Sequence, residues 1–136
     1  MKKIIISLII GAMIISGCSS GKKGTDVSSS NEMKSYTKIS QDEAKKMMEK
    51  DDGHVIVDVR REDEYASGHI PGAVLIPNES IETEKPAELP DPDQIILVYC
   101  RSGNRSAQAS QKLANLGYTR VFDFGGIMTW TGDIVK

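Results

Sequence analysis

The segment VYCRSGNRSA, residues 98–107, places a cysteine beside charged and hydroxyl side chains. It follows an apolar run and precedes residues with helical periodicity, so Cys100 falls where a predicted strand turns into a helix. Backbone N–H groups at a helix N-terminus favour an anion, and Arg101 and Arg105 add positive charge. Gly103 permits the positive φ with which successive N–H groups can point toward the sulfur. This setting favours the thiolate of Cys100, which is the nucleophilic form of the side chain.

The flanking sequence alternates between helical and strand patterns, which predicts the elements that position this loop. Strands are predicted at HVIVDV, AVLIP, QIILVYC and TRVFDF. Helices are predicted at SQDEAKKMMEK, REDEYAS and NRSAQASQKLANLG, with single helical turns near residues 81–84 and at GGIMTWTG. Strands that alternate with helices imply right-handed crossovers. The sequence therefore predicts an α/β fold with a mainly parallel central sheet flanked by helices.

Several residues are expected to set the ends and the buried faces of these helices. Ser40 and Glu43 form a capping-box signature at the start of the first helix. Glycines are expected to end the second and third helices, at Gly68 and Gly117. The third helix is expected to bury an apolar stripe made of Ala107, Leu113 and Leu116.

Two charged residues, Asp58 and Arg60, close the first central strand of that sheet. In an open parallel sheet, ligands bind beyond the carboxyl ends of the strands, so both residues are expected near the Cys100 loop. Because buried charges are usually paired, Asp58 is predicted to pair with an arginine or with backbone amides. We therefore expect both residues to hold the loop in place rather than to react.

Residues 1–17, MKKIIISLIIGAMIISG, have the features of a secretory signal. Two lysines precede an apolar run of about a dozen residues, which is shorter than the roughly 20 that a membrane-spanning helix needs. The block ISGC that ends at Cys18 resembles a bacterial lipobox, and this resemblance implies lipidation of Cys18. We expect a lipoprotein anchored to a membrane of the cell envelope, outside the cytoplasm. The alternative is an uncleaved anchor in which Cys18 has no role.

The remaining chain divides into a linker and one domain. Residues 18–35 are rich in Ser, Gly and Lys, which predicts a flexible linker, and residues 36–136 are expected to fold. The hydrophobic content of 39%, charged content of 26% and net charge of -2 are ordinary for a globular protein, so nucleic acid is not expected as a partner. Two cysteines cannot form a disulfide framework and lack the spacing of a structural zinc site. We expect a monomer.

Four segments together resemble the rhodanese family, over residues 36–132. They are DVR, EYASGHIPGA, VYCRSGNRSA and GYTRVFDFGGIMTW. The resemblance implies a rhodanese-like three-layer fold with helices on both sides of the sheet. It also implies a sulfurtransferase that moves a sulfane sulfur from a donor such as thiosulfate to cyanide or a thiol. No metal or organic cofactor is needed for that reaction.

The same resemblance assigns roles to the loop. Cys100 would be the nucleophile and would carry the sulfur as a persulfide, with ping-pong kinetics. The persulfide would be cradled by the backbone N–H groups of Arg101, Ser102, Gly103, Asn104, Arg105 and Ser106. Arg101 and Arg105 would hold an anionic donor, and Ser102 and Ser106 could donate hydroxyl hydrogen bonds.

Two other functions stay open on the sequence alone. Cys-dependent phosphatases follow the pattern Cys-x5-Arg, in which the loop encircles a phosphate, whereas Cys100 and Arg105 are spaced as Cys-x4-Arg and position 106 is a serine. This smaller loop suits a sulfur atom better than a phosphoryl group. The second alternative is a membrane-tethered sulfur carrier that passes its persulfide to a specific partner protein.

Overall fold

The central sheet has five parallel strands with helices on both faces, in a computed structural model that describes residues 34–136. The strands are β1 (Thr37–Lys38), β2 (Val55–Asp58), β3 (Val74–Leu75), β4 (Ile95–Cys100) and β5 (Arg120–Gly126). The helices are α1 (Gln41–Met48), α2 (Glu62–Ser67) and α3 (Asn104–Asn115), with 3-10 turns at Asn78–Ser80 and Ile127–Thr129. The strand order is β1-β5-β4-β2-β3, and every neighbouring pair is parallel. This confirms the predicted α/β class, while the predicted signal, Cys18 and most of the linker lie outside the described residues.

Strand β4 occupies the centre of the sheet and ends at Cys100. It pairs with β2 on one side and β5 on the other, and its last five residues are buried. A strand covered on both faces must be apolar on both, which explains the continuous run IILVY. Asp58 pairs in register with Tyr99, so the ends of β2 and β4 lie side by side. The register with β5 shifts between Val98 and Cys100, and Cys100 pairs with Gly126.

The two faces of the sheet pack against different helices. One core cluster joins Val98 of β4 to Ala109 and Leu113 of α3. The other joins Leu97 of β4 to Ala44 of α1. Because neighbouring residues of β4 point to opposite faces, the sheet becomes the middle of three layers.

Local signals set the helix ends as predicted. Ser40 Oγ accepts a hydrogen bond from the N–H of Glu43 at 3.1 Å, and Glu43 Oε2 accepts one from the N–H of Ser40 at 2.9 Å. Gly68 ends α2, and Gly117, with φ 106, follows α3. Within residues 34–136, no helix is long and apolar enough to cross a membrane.

The local expectations differ from the structure at three places. The turn expected near residues 81–84 lies at Asn78–Ser80, because Ile81 is buried in extended backbone and ends it. Of the predicted stripe, Leu113 is buried, Ala107 is partly buried and Leu116 packs against the core just after the helix, whereas α3 also buries Ser106, Ala109, Ser110 and Ala114. Two of its buried positions are serines, which a search for apolar residues passes over. Strand β1 was not predicted, because two exposed residues carry no periodicity.

Candidate active site

Cys100 lies at the carboxyl end of β4, at the base of the loop that leads into α3. Its side chain is buried, with 1% of its surface exposed. The N–H of Gly103 donates a hydrogen bond to Cys100 Sγ at 2.9 Å. Gly103 has φ 108 and caps α3, so its missing Cβ is what allows the loop to close in this conformation. The sulfur therefore accepts a backbone N–H at a helix N-terminus, an arrangement that stabilises negative charge on it.

The loop rests against two consecutive glycines at the end of β5. A Cβ added at Gly126 would overlap the carbonyl oxygen of Arg101 and would lie 2.7 Å from Ser102 Cα, so only glycine fits there. The N–H of Met128 donates to the carbonyl oxygen of Arg101 at 3.2 Å. Gly125 has φ 93, which suits its lack of a side chain. The end of β5 thus fixes the path of the backbone immediately after Cys100.

Ser106 supports the loop from inside rather than facing a substrate. Its side chain is buried, and its hydroxyl donates to the carbonyl oxygens of Gly103 at 3.0 Å and Gly125 at 3.3 Å. The sequence predicted that this hydroxyl donates hydrogen bonds, and in the structure both of its acceptors are backbone carbonyls. The hydroxyl joins the start of α3 to the end of β5.

Arg105 is held by an ion pair across the loop. Its two terminal nitrogens donate to Glu64 Oε2 at 2.7 Å and Oε1 at 2.9 Å. These hydrogen bonds lower the pKa of Glu64 to about 2, with the backbone N–H of Arg61 acting in the same direction and burial acting against it. The Glu64 hydrogen bonds also raise the pKa of Arg105. The guanidinium predicted to hold an anionic donor thus already holds a carboxylate.

A buried polar network lies at the adjoining ends of β2 and β4. Arg60 donates to both carboxylate oxygens of Asp58, the shortest contact being 2.6 Å from a terminal nitrogen to Oδ2. The same nitrogen of Arg60 donates to the carbonyl oxygen of Gly68 at 2.7 Å. Tyr99 donates its hydroxyl to Asp58 Oδ2 at 2.7 Å and accepts the N–H of Ile70 at 3.1 Å. The network therefore ties the residue before Cys100 to β2 and to the turn that follows α2.

The protonation of this network follows from its burial. Both charged side chains are almost fully covered, at 0% exposed for Asp58 and 6% for Arg60. Burial raises the pKa of Tyr99 well above its ordinary value, and the neighbouring carboxylate of Asp58 acts in the same direction. Tyr99 is therefore a neutral hydroxyl donor, and Asp58 has the arginine partner that the sequence led us to expect.

The remaining predicted loop side chains, those of Arg101, Ser102 and Asn104, are exposed. None of the ion pairs within residues 34–136 includes Arg101.

Within residues 34–136, no group of three or more His, Cys, Asp and Glu side chains is placed to hold a metal ion.

Sequence reasoning missed three contributors to this site: Glu64, Tyr99 and Gly126. Glu64 begins the segment EYASGHIPGA, so its place in a recognised motif was the available signal. Gly126 belongs to a pair of adjacent glycines after a strand, a pattern that indicates close approach of another backbone. Nothing in the sequence indicated a role for Tyr99 in the site, since a tyrosine in an apolar strand is usually interpreted as a core-packing residue.

Comparison with known proteins identifies the family. The rhodanese-like domain model matches residues 40–133. The chain belongs to the rhodanese-like family. This agrees with the segments in which the resemblance was seen and with the three-layer fold. Family membership supports sulfur transfer as the general class of reaction.

Individual relatives agree with this assignment. The thiosulfate sulfurtransferase PspE of Escherichia coli is 35% identical over 71 residues, covering 52% of this chain and 68% of its own. The thiosulfate:glutathione sulfurtransferase of Saccharomyces cerevisiae is 31% identical over 117 residues, covering 77% of this chain and 84% of its own. A solved structure of a rhodanese with anions from E. coli is 32% identical, with a TM-score of 0.57, and covers 61% of this chain and 98% of its own.

Proposed function

We propose that this protein is a rhodanese-type sulfurtransferase that moves a sulfane sulfur from thiosulfate to a thiophilic acceptor, cyanide or a thiol. The observation that carries the proposal is the hydrogen bond from the Gly103 N–H to Cys100 Sγ at 2.9 Å, at the start of α3. A sulfur that accepts a backbone N–H at a helix N-terminus is stabilised as an anion, and an anionic sulfur is a nucleophile.

The reaction has two displacement steps at sulfur. In the first, the Cys100 thiolate attacks the outer sulfur of thiosulfate, a new S–S bond forms, and sulfite leaves with the electron pair of the broken S–S bond. In the second, the acceptor attacks the outer sulfur of the persulfide, and the Cys100 thiolate leaves. Each step breaks one bond and forms one, so no external oxidant or reductant is consumed.

The protein's contribution is to hold negative charge at a fixed place. The backbone N–H groups that follow Cys100 can donate hydrogen bonds to the outer sulfur of the persulfide. The close contact of the loop with Gly126 sets the position of these N–H groups. Arg101 is exposed within the loop and supplies positive charge toward an approaching anion. Cys100 is itself buried, so the loop favours a small donor.

The ion pair at Arg105 argues against the phosphatase alternative. A phosphate-binding loop needs its arginine to point inward and bind two phosphate oxygens. Here the guanidinium makes that bidentate contact with Glu64 instead. The loop is also one residue shorter than the phosphatase pattern.

Steady-state kinetics with thiosulfate and cyanide test the proposal. We expect parallel lines in double-reciprocal plots, since sulfite leaves before cyanide reacts. Cys100→Ser should abolish turnover, because it removes the nucleophile. Cys18→Ser, which alters the other cysteine of the chain, is the matched control and should keep full activity in detergent. Activity that survives in Cys100→Ser would overturn the assignment of the nucleophile.

The same assay, combined with detection of the persulfide by mass spectrometry, separates the enzyme from a sulfur carrier. A carrier would form the persulfide on Cys100 but would pass its sulfur to cyanide slowly, since its acceptor site would be supplied by a partner protein. Persulfide formation with negligible cyanide turnover would therefore favour the carrier and contradict a free-standing enzyme.

We also propose that Cys18 is lipidated and anchors the domain to a membrane of the cell envelope, outside the cytoplasm. Support comes from the sequence ISGC after a short apolar run that follows two lysines. Labelling of producing cells with radioactive palmitate should mark the wild type and Cys100→Ala but not Cys18→Ala. Equal labelling of Cys18→Ala would contradict the proposal.

A further inference from the structure

The two arginines of the loop lie in different electrostatic environments. Arg105 is largely covered, with 25% of its side chain exposed, and makes a bidentate contact with Glu64. Arg101 is exposed, and no ion pair within residues 34–136 involves it. Although both carry a positive charge, only the charge of Arg101 is free of a carboxylate partner among the described side chains.

Glu64 is fixed before it meets Arg105. It is the third residue of α2, and its Oε2 accepts the backbone N–H of Arg61 at 3.0 Å, as in a capping box. The end of the same helix is held at Gly68, whose carbonyl oxygen accepts a hydrogen bond from buried Arg60. With both ends of α2 fixed, the Glu64 carboxylate is presented to the loop in one position. The guanidinium of Arg105 is thereby kept in one orientation.

We infer that Glu64 determines the charge selectivity of the site: it withdraws Arg105 from the substrate and leaves Arg101 as the cation that meets the anionic donor. This inference rests on the proposed sulfurtransferase function and deepens it. Arg105 then stabilises the contact between α3 and α2 instead of binding the donor. Glu64 sets the specificity for donor charge without touching the donor.

One substitution, Glu64→Gln, should lower the KM for an anionic donor. Glu64→Gln keeps the shape of the side chain and an acceptor for the Arg61 N–H but removes one negative charge beside the loop. The charge of Arg105 is then no longer neutralised, so an anionic donor should bind more tightly. At a separation of roughly 10 Å in water of low ionic strength, where screening is weak, one unit charge changes KM by about twofold for a monoanionic donor and, because the interaction scales with charge, by about fourfold for a dianion.

The test compares two donors of different charge on the intact protein. Thiosulfate is a dianion and benzenethiosulfonate a monoanion, and both deliver a sulfane sulfur. We expect Glu64→Gln to lower the KM for thiosulfate about fourfold and that for benzenethiosulfonate about twofold, with kcat little changed. Glu62→Gln is the matched control: it removes the same charge from an exposed position in the first turn of α2 that takes part in none of the ion pairs of residues 34–136, and it should change both KM values less than Glu64→Gln does.

Two outcomes for Glu64→Gln would overturn the inference. A higher KM for both donors would mean that Glu64 orients Arg105 onto the donor, and equal effects on the two donors would mean that charge is not what changes.

Arg101→Gln is a second variant that keeps the test decisive if Glu64→Gln does not fold. Its side chain is exposed and takes part in none of the ion pairs of residues 34–136, and we expect the KM of this variant for thiosulfate to rise about tenfold; an unchanged KM would also overturn the inference.

Failure of the inference can be told apart from failure of the proposed function. If the wild type accepts no sulfur from thiosulfate, the proposed function is wrong. If the wild type turns over normally but Glu64→Gln keeps the wild-type KM values, only the role of Glu64 is wrong.

Discussion

Gly126→Ala should displace the Cys100 loop by more than an ångström. The added Cβ would lie 2.1 Å from the carbonyl oxygen of Arg101, whereas ordinary van der Waals contact begins at 3.4 Å, so the two backbones must separate by about 1.3 Å. The backbone of Gly126 is itself extended, with φ -126, so the steric overlap rather than the conformation of the alanine is the cause. A misplacement of about 1 Å in a reacting group can cost about a hundredfold in rate. We therefore expect persulfide formation on Cys100 to slow by about two orders of magnitude.

Stopped-flow measurement of the single-turnover reaction with thiosulfate would test this prediction. The variant should also lose about 1–3 kcal/mol of unfolding free energy, as expected for an overpacked contact. Gly53→Ala is the matched control, since it places an alanine at φ 76 with open space around its Cβ and lies before β2 at the other end of the sheet. It should lose some stability from strained backbone but keep the wild-type rate. A Gly126→Ala rate within about threefold of wild type would refute the claim that this glycine sets the position of the loop.

Three further substitutions test the supports of the site. Tyr99→Phe removes a buried hydrogen bond to Asp58 and should lower the unfolding free energy by about 2 kcal/mol in urea titrations; a wild-type midpoint would contradict this. The hydrogen bonds from Arg105 hold the pKa of Glu64 at about 2, so this carboxylate stabilises the fold above its unfolded pKa near 4.5 and loses that contribution as the pH falls toward 2. Glu64→Gln should thus lower the free energy of unfolding by about 1 kcal/mol at pH 7, after allowance for solvent screening, and by progressively less below pH 4.5. A difference in unfolding free energy between wild type and variant that does not depend on pH would count against the ion pair. Ser106→Ala should lower the free energy of unfolding by about 1 kcal/mol and slow persulfide formation, and both can be measured on one sample. An unchanged rate would show that this hydroxyl does not hold the loop.

The fold could be predicted from the sequence because its signals are local. The continuous apolar run of β4 indicates a strand covered on both faces, and the capping box at Ser40 marks a helix start without reference to the rest of the chain. The glycine at position 68 likewise ends α2 where expected. Strand β1 could not be predicted, since two exposed residues owe their structure to pairing with β5.

The site was only partly predictable, because its supports come from distant positions. The presence of Cys100 before a helix could be seen in one segment, and a partner for Asp58 could be expected because a buried charge needs one. Glu64 and Arg105, in contrast, are 41 residues apart in the chain, and no spacing rule connects them. The loop sequence alone made both arginines equivalent, and only the folded arrangement distinguishes them. The acceptors of the Ser106 hydroxyl could not be predicted for the same reason, because one of them belongs to β5.

The most direct test of the central claim is intact-mass spectrometry of the protein after brief treatment with thiosulfate. We expect the wild type to gain the mass of one sulfur atom, with one equivalent of sulfite released, and fragmentation should locate the added sulfur on Cys100. Cys100→Ser should gain nothing, and subsequent cyanide should remove the added mass from the wild type. A wild-type protein that gains no sulfur, or that gains it at a residue other than Cys100, would contradict the account.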